Sequence, residues 1–98
     1  MTITKKQNGT ELLVEVEGSI NTVTAPELDK EVSGSLDGIK TLIFDFAKVD
    51  YISSAGLRVL LVIYKVMSKQ GNMIIRHVNS EVMDVFTMTG FSDFLVIE

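Results

Sequence analysis

Apolar and polar positions alternate from Glu11 to Glu17, which places Leu12, Val14 and Val16 on one face of an extended segment. A period of two is the signature of a half-buried strand. The Asn8-Gly9 turn just before it predicts a hairpin, with Ile3 and its neighbours as the partner strand. Thr24-Ala25-Pro26-Glu27 then reads as a capping box, in which the Thr24 hydroxyl accepts from the Glu27 amide and Pro26 occupies the first turn. Ala25, Leu28, Val32 and Leu36 form one helical stripe behind it, and Gly38 punctuates the exit. From Lys40 to Ala47 the chain is apolar on both faces, as in a strand that is covered twice or lies mid-sheet. Val49 to Ile52 reads as another short extended stretch. Ser53 is expected to cap a second helix running to about Gln70, with Gly71 as its left-handed terminator. Asn72 to Val78 reads as a strand. Ser80 is expected to cap a third helix with Val82, Val85, Phe86 and Thr89 on one face, ended by Gly90. Phe94 to Ile97 is a last short strand. Strands alternating with helices predict a single α/β domain over 1–98, a mixed sheet with its helices packed mainly on one face.

Composition narrows the function classes. A chain of 98 residues with 46% hydrophobic residues can build one core and no second. It contains no cysteine, so a disulfide framework and cysteine chemistry are absent. The opening Met1–Lys6 lacks the apolar stretch of a signal peptide, and the longest apolar run, Val59 to Tyr64, is far below the ~20 residues a membrane span needs. A soluble, cytoplasmic protein without membrane partners is expected. Net charge is −4 and only Lys5-Lys6 are adjacent among the basic residues, which argues against nucleic acid as a partner. One histidine and no cysteine leave little for a metal, and no cofactor is expected.

The second helix carries the most information. Leu57, Val59 to Tyr64, Val66 and Met67 cover most of its circumference. With Ser54 at zero and ~100° per residue, Arg58 falls near 40°, Lys65 near 20° and Lys69 near 60°. These cations form one narrow polar stripe with Ser54 at its N-terminal end. A serine in that position is ordinarily a cap. Here there are two, and one cap suffices, so an exposed Ser54 is also placed to take phosphate where free N–H groups and the helix dipole favour negative charge.

The run Phe44-Asp45-Phe46-Ala47-Lys48-Val49-Asp50-Tyr51-Ile52-Ser53-Ser54-Ala55-Gly56-Leu57-Arg58-Val59-Leu60 resembles the central motif of the STAS family, the anti-sigma factor antagonists and related domains of anion transporters. Glu17 to Asn21, Thr24 to Leu28 and Met88 to Phe91 extend the likeness across the chain. The resemblance implies a STAS-like mixed sheet and a non-catalytic phospho-switch. In its unphosphorylated form such a module binds an anti-sigma factor that is itself a serine kinase of the histidine-kinase-like ATPase fold, and so frees the sigma factor. Phosphorylation releases the module, and a PP2C-type serine phosphatase resets it. Many members read Asp-Ser-Ser-Gly or Asp-Ser-Thr-Gly where this chain reads Ser53-Ser54-Ala55-Gly56, so the usual second hydroxyl is replaced by Ala55. Ser54 is the nearest matching acceptor and Ser53 the alternative. The partner-binding set implied is Asn21, Asp45, Ser53, Ser54, Gly56, Arg58 and Lys65.

Several of these residues admit a plainer role. Asp45 either orients the serine and its phosphate or is a solvated strand-end carboxylate. Asn21 either meets the partner or simply forms a turn, and Asp50 reads as a turn former. His77 reads as a strand surface residue, and Met67, Met73, Met83 and Met88, with Phe91, as core. Three other functions compete. A receiver domain needs paired acidic residues after its first strand, and Glu15-Val16-Glu17-Gly18 supplies none. A nucleotide-binding or hydrolytic enzyme needs a glycine-rich phosphate loop or a nucleophile–histidine pair, and neither motif occurs. A non-switching STAS scaffold subunit of a larger signalling complex is the alternative that the sequence leaves open.

Overall fold

The Asn8-Gly9 signal closes a hairpin: β1 (Thr2–Asn8) runs antiparallel to β2 (Glu11–Ile20), with Asn8 paired to Glu11 and Gly9 at φ 63° between them. The computed structural model describes residues 1–98. After the hairpin come α1 (Ala25–Ser33), β3 (Thr41–Ile52), α2 (Ser54–Ser68), β4 (Asn72–Arg76), α3 (Ser80–Met88), a 3-10 turn (Phe91–Asp93) and β5 (Val96–Ile97). The sheet order is β1-β2-β3-β4-β5, with β1 antiparallel and every other pair parallel.

Strand β3 is central because its apolar run is paired on both edges. Leu42, Phe44 and Phe46 turn to the same side as Leu12, Val14 and Val16, and join Leu28, Leu60, Ile63, Met67, Val82 and Phe86 in one core. All three helices contribute to that core, so they cover one face of the sheet, as the alternation predicts. Of the two explanations for the doubly apolar strand, mid-sheet placement holds. Ile43 is buried outside the core, in a cross-strand row with Leu13 and Ile74, and Ala47 is exposed.

Val49 to Ile52 is not a separate stretch but the continuation of β3. Between Glu15 and Glu17 of β2, and again between Gly18 and Ser19, the partner strand takes one extra residue. Each bulge shifts the inward-facing set by one position, so Val49 and Ile52 return to the core although they break the alternation set by Phe44 and Phe46. The bulges carry the strand to the point where α2 begins.

The helix ends differ from the sequence expectations in instructive ways. Helix α1 stops at Ser33, short of Leu36, whose side chain is nevertheless buried. Gly38 serves the return turn at φ 77°. Gly71 does not terminate α2 in a left-handed conformation; Lys69 caps it in a right-handed one. Glycine is required at 71 for space, since a Cβ there would lie 1.8 Å from the Lys40 carbonyl oxygen. The cap of α3 is Asn79, not Ser80: its Oδ1 accepts from the Val82 amide at 2.8 Å and its Nδ2 donates to the Val49 carbonyl at 2.8 Å. Gly90 is left-handed at φ 80°, as expected. Met67 and Met73 are buried, but Met88 is 85% exposed and not core. Thr89 is also exposed, its hydroxyl donating to the Val85 carbonyl at 2.6 Å.

Candidate partner-binding surface

At the start of α2 the two serines separate. Ser53 holds the cap position through its backbone: its N–H donates to the Ile20 carbonyl at 2.8 Å and its carbonyl accepts from Leu57 N–H at 2.9 Å. Its side chain makes no cap hydrogen bond, contrary to expectation, and its hydroxyl is buried without a partner. Ser54 is the first helical residue and is exposed. Gly56 is buried; a Cβ there would stand 2.7 Å from both Ile20 Cγ2 and Ile52 Cγ1. It cannot touch a partner. Its part is to let the first turn of α2 settle on β2 and β3, which fixes where Ser54 emerges.

Ser54, Ala55, Arg58 and Val59 form one wall of a shallow groove, with Thr22, Ala25, Pro26 and Asp29 opposite. The loop leading into that second wall is clamped. Asn21 Oδ1 accepts from the Val23 and Thr24 amides at 3.0 and 3.1 Å. Thr24 Oγ1 accepts from the Asn21 amide at 2.8 Å and donates to the Ser19 carbonyl at 2.8 Å. The predicted capping box does not form, because the Thr24 hydroxyl is committed to the loop and makes no bond into α1. The Asn21 side-chain oxygen is likewise spent on the loop, and Asn21 supports the groove without lining it. The loop presents Val23, which is 84% exposed.

Down α2, Arg58, Lys65 and Lys69 are exposed on one face and engage in no ion pair. Gly56, Leu57, Leu60, Ile63 and Met67 make up the buried face. Val62 and Val66 fall with the cations: they are 47% and 39% exposed. The periodicity contained this, since both lie near 80–120° on the scale that puts Ser54 at zero. Counting them as part of a nearly all-apolar circumference hid it.

Asp45 is not brought to the serine. It points away from the core and lines a depression with Glu15, Lys48 and Thr4. Its Oδ1 accepts from the Ala47 amide at 2.9 Å, at the first bulge, and lies 3.0 Å from His77 Nδ1. Burial pushes the Asp45 carboxyl upward, but the Ala47 N–H, His77 and Arg76 outweigh it and hold the carboxyl below its ordinary range. His77, one residue past β4, takes a left-handed backbone at φ 60°. Asp50 lies within β3, not in a turn, and accepts from Ser19 Oγ at 2.6 Å. Of the seven sequence-derived partner residues, the fold brings Ser54, Arg58 and Lys65 to one exposed surface. Asn21, Ser53 and Gly56 support it, and Asp45 lies elsewhere.

Comparison with known proteins agrees with this architecture. The family model described as STAS domain matches residues 2–98. BtrV of Bordetella bronchiseptica, which bears the name of an anti-sigma factor antagonist, is 34% identical over 82 residues, spanning 82% of this chain and 71% of that protein. An anti-sigma factor antagonist from Mycobacterium paratuberculosis superposes with a TM-score of 0.88 at 23% identity, over 98% of this chain and 83% of that one. SpoIIAA, an anti-sigma factor antagonist, superposes in its unphosphorylated form with a TM-score of 0.85 at 14% identity, over 99% of this chain and 88% of that one. The phosphorylated form of the Bacillus protein gives 0.76 at 13% identity, over 99% and 91%. No helix here is long and apolar enough to cross a membrane. With the family model spanning all but the first residue, this chain belongs to the STAS domain family.

Proposed function

We propose that this STAS domain is an anti-sigma factor antagonist, a binding module without catalysis of its own, switched by phosphorylation of Ser54. The unphosphorylated form sequesters an anti-sigma factor that is a serine kinase of the histidine-kinase-like ATPase fold, which frees the sigma factor. That kinase phosphorylates Ser54, the complex dissociates, and a PP2C-type serine phosphatase restores the binding form. The chain acts in the cytoplasm, where these partners work.

The observation that carries the reading is the contrast between adjacent hydroxyls. Ser54 is exposed at the N-terminus of α2 on the wall of a groove, while the Ser53 hydroxyl is buried. A kinase can reach the first and not the second. BtrV, at 34% identity, bears the name of an antagonist, and SpoIIAA exists in phosphorylated and unphosphorylated forms. A phosphate at Ser54 brings roughly −1.5 to −2 charge to the N-terminal end of the surface that holds Arg58 and Lys65.

The test is titration calorimetry against the cognate anti-sigma factor. Wild type and Ser54→Ala should bind alike, and site-specific phosphoserine at 54 should weaken binding at least ~100-fold, about 2.7 kcal/mol. Equal affinities for the phosphorylated and unphosphorylated proteins would leave a scaffold subunit as the better description. Phosphopeptide mapping should find Ser54 and not Ser53.

A further inference from the structure

From Ser54 to Lys69 the chain carries three cations and no carboxylate, although the whole protein has 13 acidic residues against nine basic ones. Arg58, Lys65 and Lys69 are all exposed and all unpaired. Lys5, Lys6 and Arg76 are each held by a glutamate at 3.0–3.2 Å, and Lys30, Lys40 and Lys48 are unpaired but scattered over other elements, so what sets α2 apart is three free cations on one face with no carboxylate among them. Asp29, across the groove from Arg58, forms no ion pair with it. Beside the cations, near 80° and 120° on the wheel against their 20–60°, stand Val62 and Val66, one helical turn apart and exposed at 47% and 39%. Two large apolar side chains bordered along one edge by free positive charge have the composition of an interface with a small apolar patch and a charged rim on that side.

We propose that this stripe, from Arg58 to Lys69, docks an acidic segment of a protein partner. Aliphatic side chains of that segment pack over Val62 and Val66, and its carboxylates meet Arg58, Lys65 and Lys69. The stripe is ~16 Å long at 1.5 Å per residue, the length of about three turns of a partner helix. A membrane surface suits it poorly, because interfacial helices present a broad apolar face with large aromatic residues, and this stripe offers two valines. Taken with the proposed function, the acidic segment belongs to the anti-sigma factor. Ser54 then stands at the head of the stripe, where phosphate opposes carboxylates already drawn there.

The photo-crosslinking residue p-benzoylphenylalanine at position 62 tests this in intact cells of the source organism, with position 87, exposed on α3, as the control. Crosslinked peptides are identified by mass spectrometry. Position 62 should capture a segment of another protein rich in Asp and Glu with interspersed aliphatic residues, and position 87 should not. With that partner purified, Lys65→Glu combined with Lys69→Glu should lower affinity ~100-fold. Reversing two partner carboxylates to lysine should restore most of the loss, and 0.5 M salt should weaken the wild-type complex about tenfold. Capture of a basic or uncharged segment, of a second copy of this chain, of lipid alone, or of nothing overturns the proposal. So does a double variant that binds like wild type. If the captured acidic segment belongs to a protein with no ATPase fold and no sigma factor connection, the docking inference stands and the antagonist reading fails.

Discussion

His77 Nδ1 lies 3.0 Å from Asp45 Oδ1, and His77 reaches it with a left-handed backbone at φ 60°. For a non-glycine residue that conformation costs ~1 kcal/mol. The pair links the end of β4 to the first bulge of β3, because the same carboxylate oxygen accepts from Ala47 N–H. The bulge sets which residues of β3 face inward from there to α2, so this contact bears indirectly on where Ser54 emerges.

The Asp45 pair gives stability a defined pH dependence. Its folded-state carboxyl titrates below the ordinary value: burial raises it, while the Ala47 amide, His77 and Arg76 together lower it further. A group depressed in this sense stabilises the fold above its unfolded value near 3.9 and loses that contribution as pH falls through the folded value. Asp45→Asn should therefore be less stable than wild type at pH 6, and the gap should narrow at a second pH set well below the ordinary carboxylate value of about 3.9. Urea unfolding midpoints at the two pH values read this directly. A gap that persists in acid would mean the side chain acts by shape and not by charge.

Ser53→Ala should break the usual rule for cap residues. Replacing a capping serine ordinarily costs ~1 kcal/mol. Here the hydroxyl makes no cap bond and is buried unpartnered, so alanine removes an unsatisfied polar group. The variant should be as stable as wild type or more stable, by up to about 1 kcal/mol in chemical denaturation. A loss near 1 kcal/mol would show that the hydroxyl finds a partner in solution.

Gly56→Ala and Gly71→Ala should be costly for a different reason. A Cβ at Gly71 meets the Lys40 backbone at 1.8 Å, which no rotamer relieves, so a loss of about 3 kcal/mol is expected. At Gly56 the added atom meets Ile20 Cγ2 and Ile52 Cγ1 at 2.7 Å and the Ile20 carbonyl oxygen at 3.2 Å; both isoleucines are β-branched and fully buried and move only with the core around them, so about 2–3 kcal/mol is expected. The Gly56 variant should in addition lose partner affinity, since it lifts the first turn of α2 off Ile20 and Ile52. Thermal melts paired with binding measurements separate the two effects.

Much of this was legible in the sequence, and the rest was hidden for identifiable reasons. Period-two and helical patterns located β2, β3 and the three helices, because Leu12, Val14, Leu28, Phe44, Leu60 and Phe86 each mark a buried face, but they gave no sign of the 3-10 turn at Phe91–Asp93. The break at Val49 was misread because a bulge changes which residues point inward without ending the strand. The Thr24 cap failed because its side chain had two possible uses, whereas the Ser53 hydroxyl found none. Thr24 and Asn21 satisfy the loop between β2 and α1 instead of the helix, and no local rule ranks a loop carbonyl against a helix amide. Of the two readings of Asp45, the one beside the serine fails, because its position in the pleat turns it to the helix-free face. The helical wheel places Ser54, Arg58, Lys65 and Lys69 on one face, and all four are exposed in the structure. It undervalued Val62 and Val66, which read as core by residue type and lie on the surface by angle.

Phosphate at Ser54 should leave the fold intact and should be sensed by Arg58. The group is added at an exposed helix N-terminus whose first turn has no acidic residue, so the dipole favours it by about 0.3–1 kcal/mol. The melting temperature of the phosphorylated protein should accordingly match or slightly exceed that of the unmodified one. Arg58 is four residues on, lines the same groove and has no other ionic partner, so its guanidinium is free to approach the phosphate. A nearby cation favours the dianion, and the second phosphate pKa should fall below its usual value near 6. In Arg58→Gln it should move back up toward that value. Phosphorus NMR titration of protein carrying site-specific phosphoserine at 54 measures both forms without any partner present. An identical titration in the two proteins would mean that Arg58 stays in solvent and that the phosphate acts on the partner alone. A fall in melting temperature on phosphorylation would mean that the Ser54 hydroxyl contributes to the fold, against its exposure and its lack of any hydrogen bond in the structure.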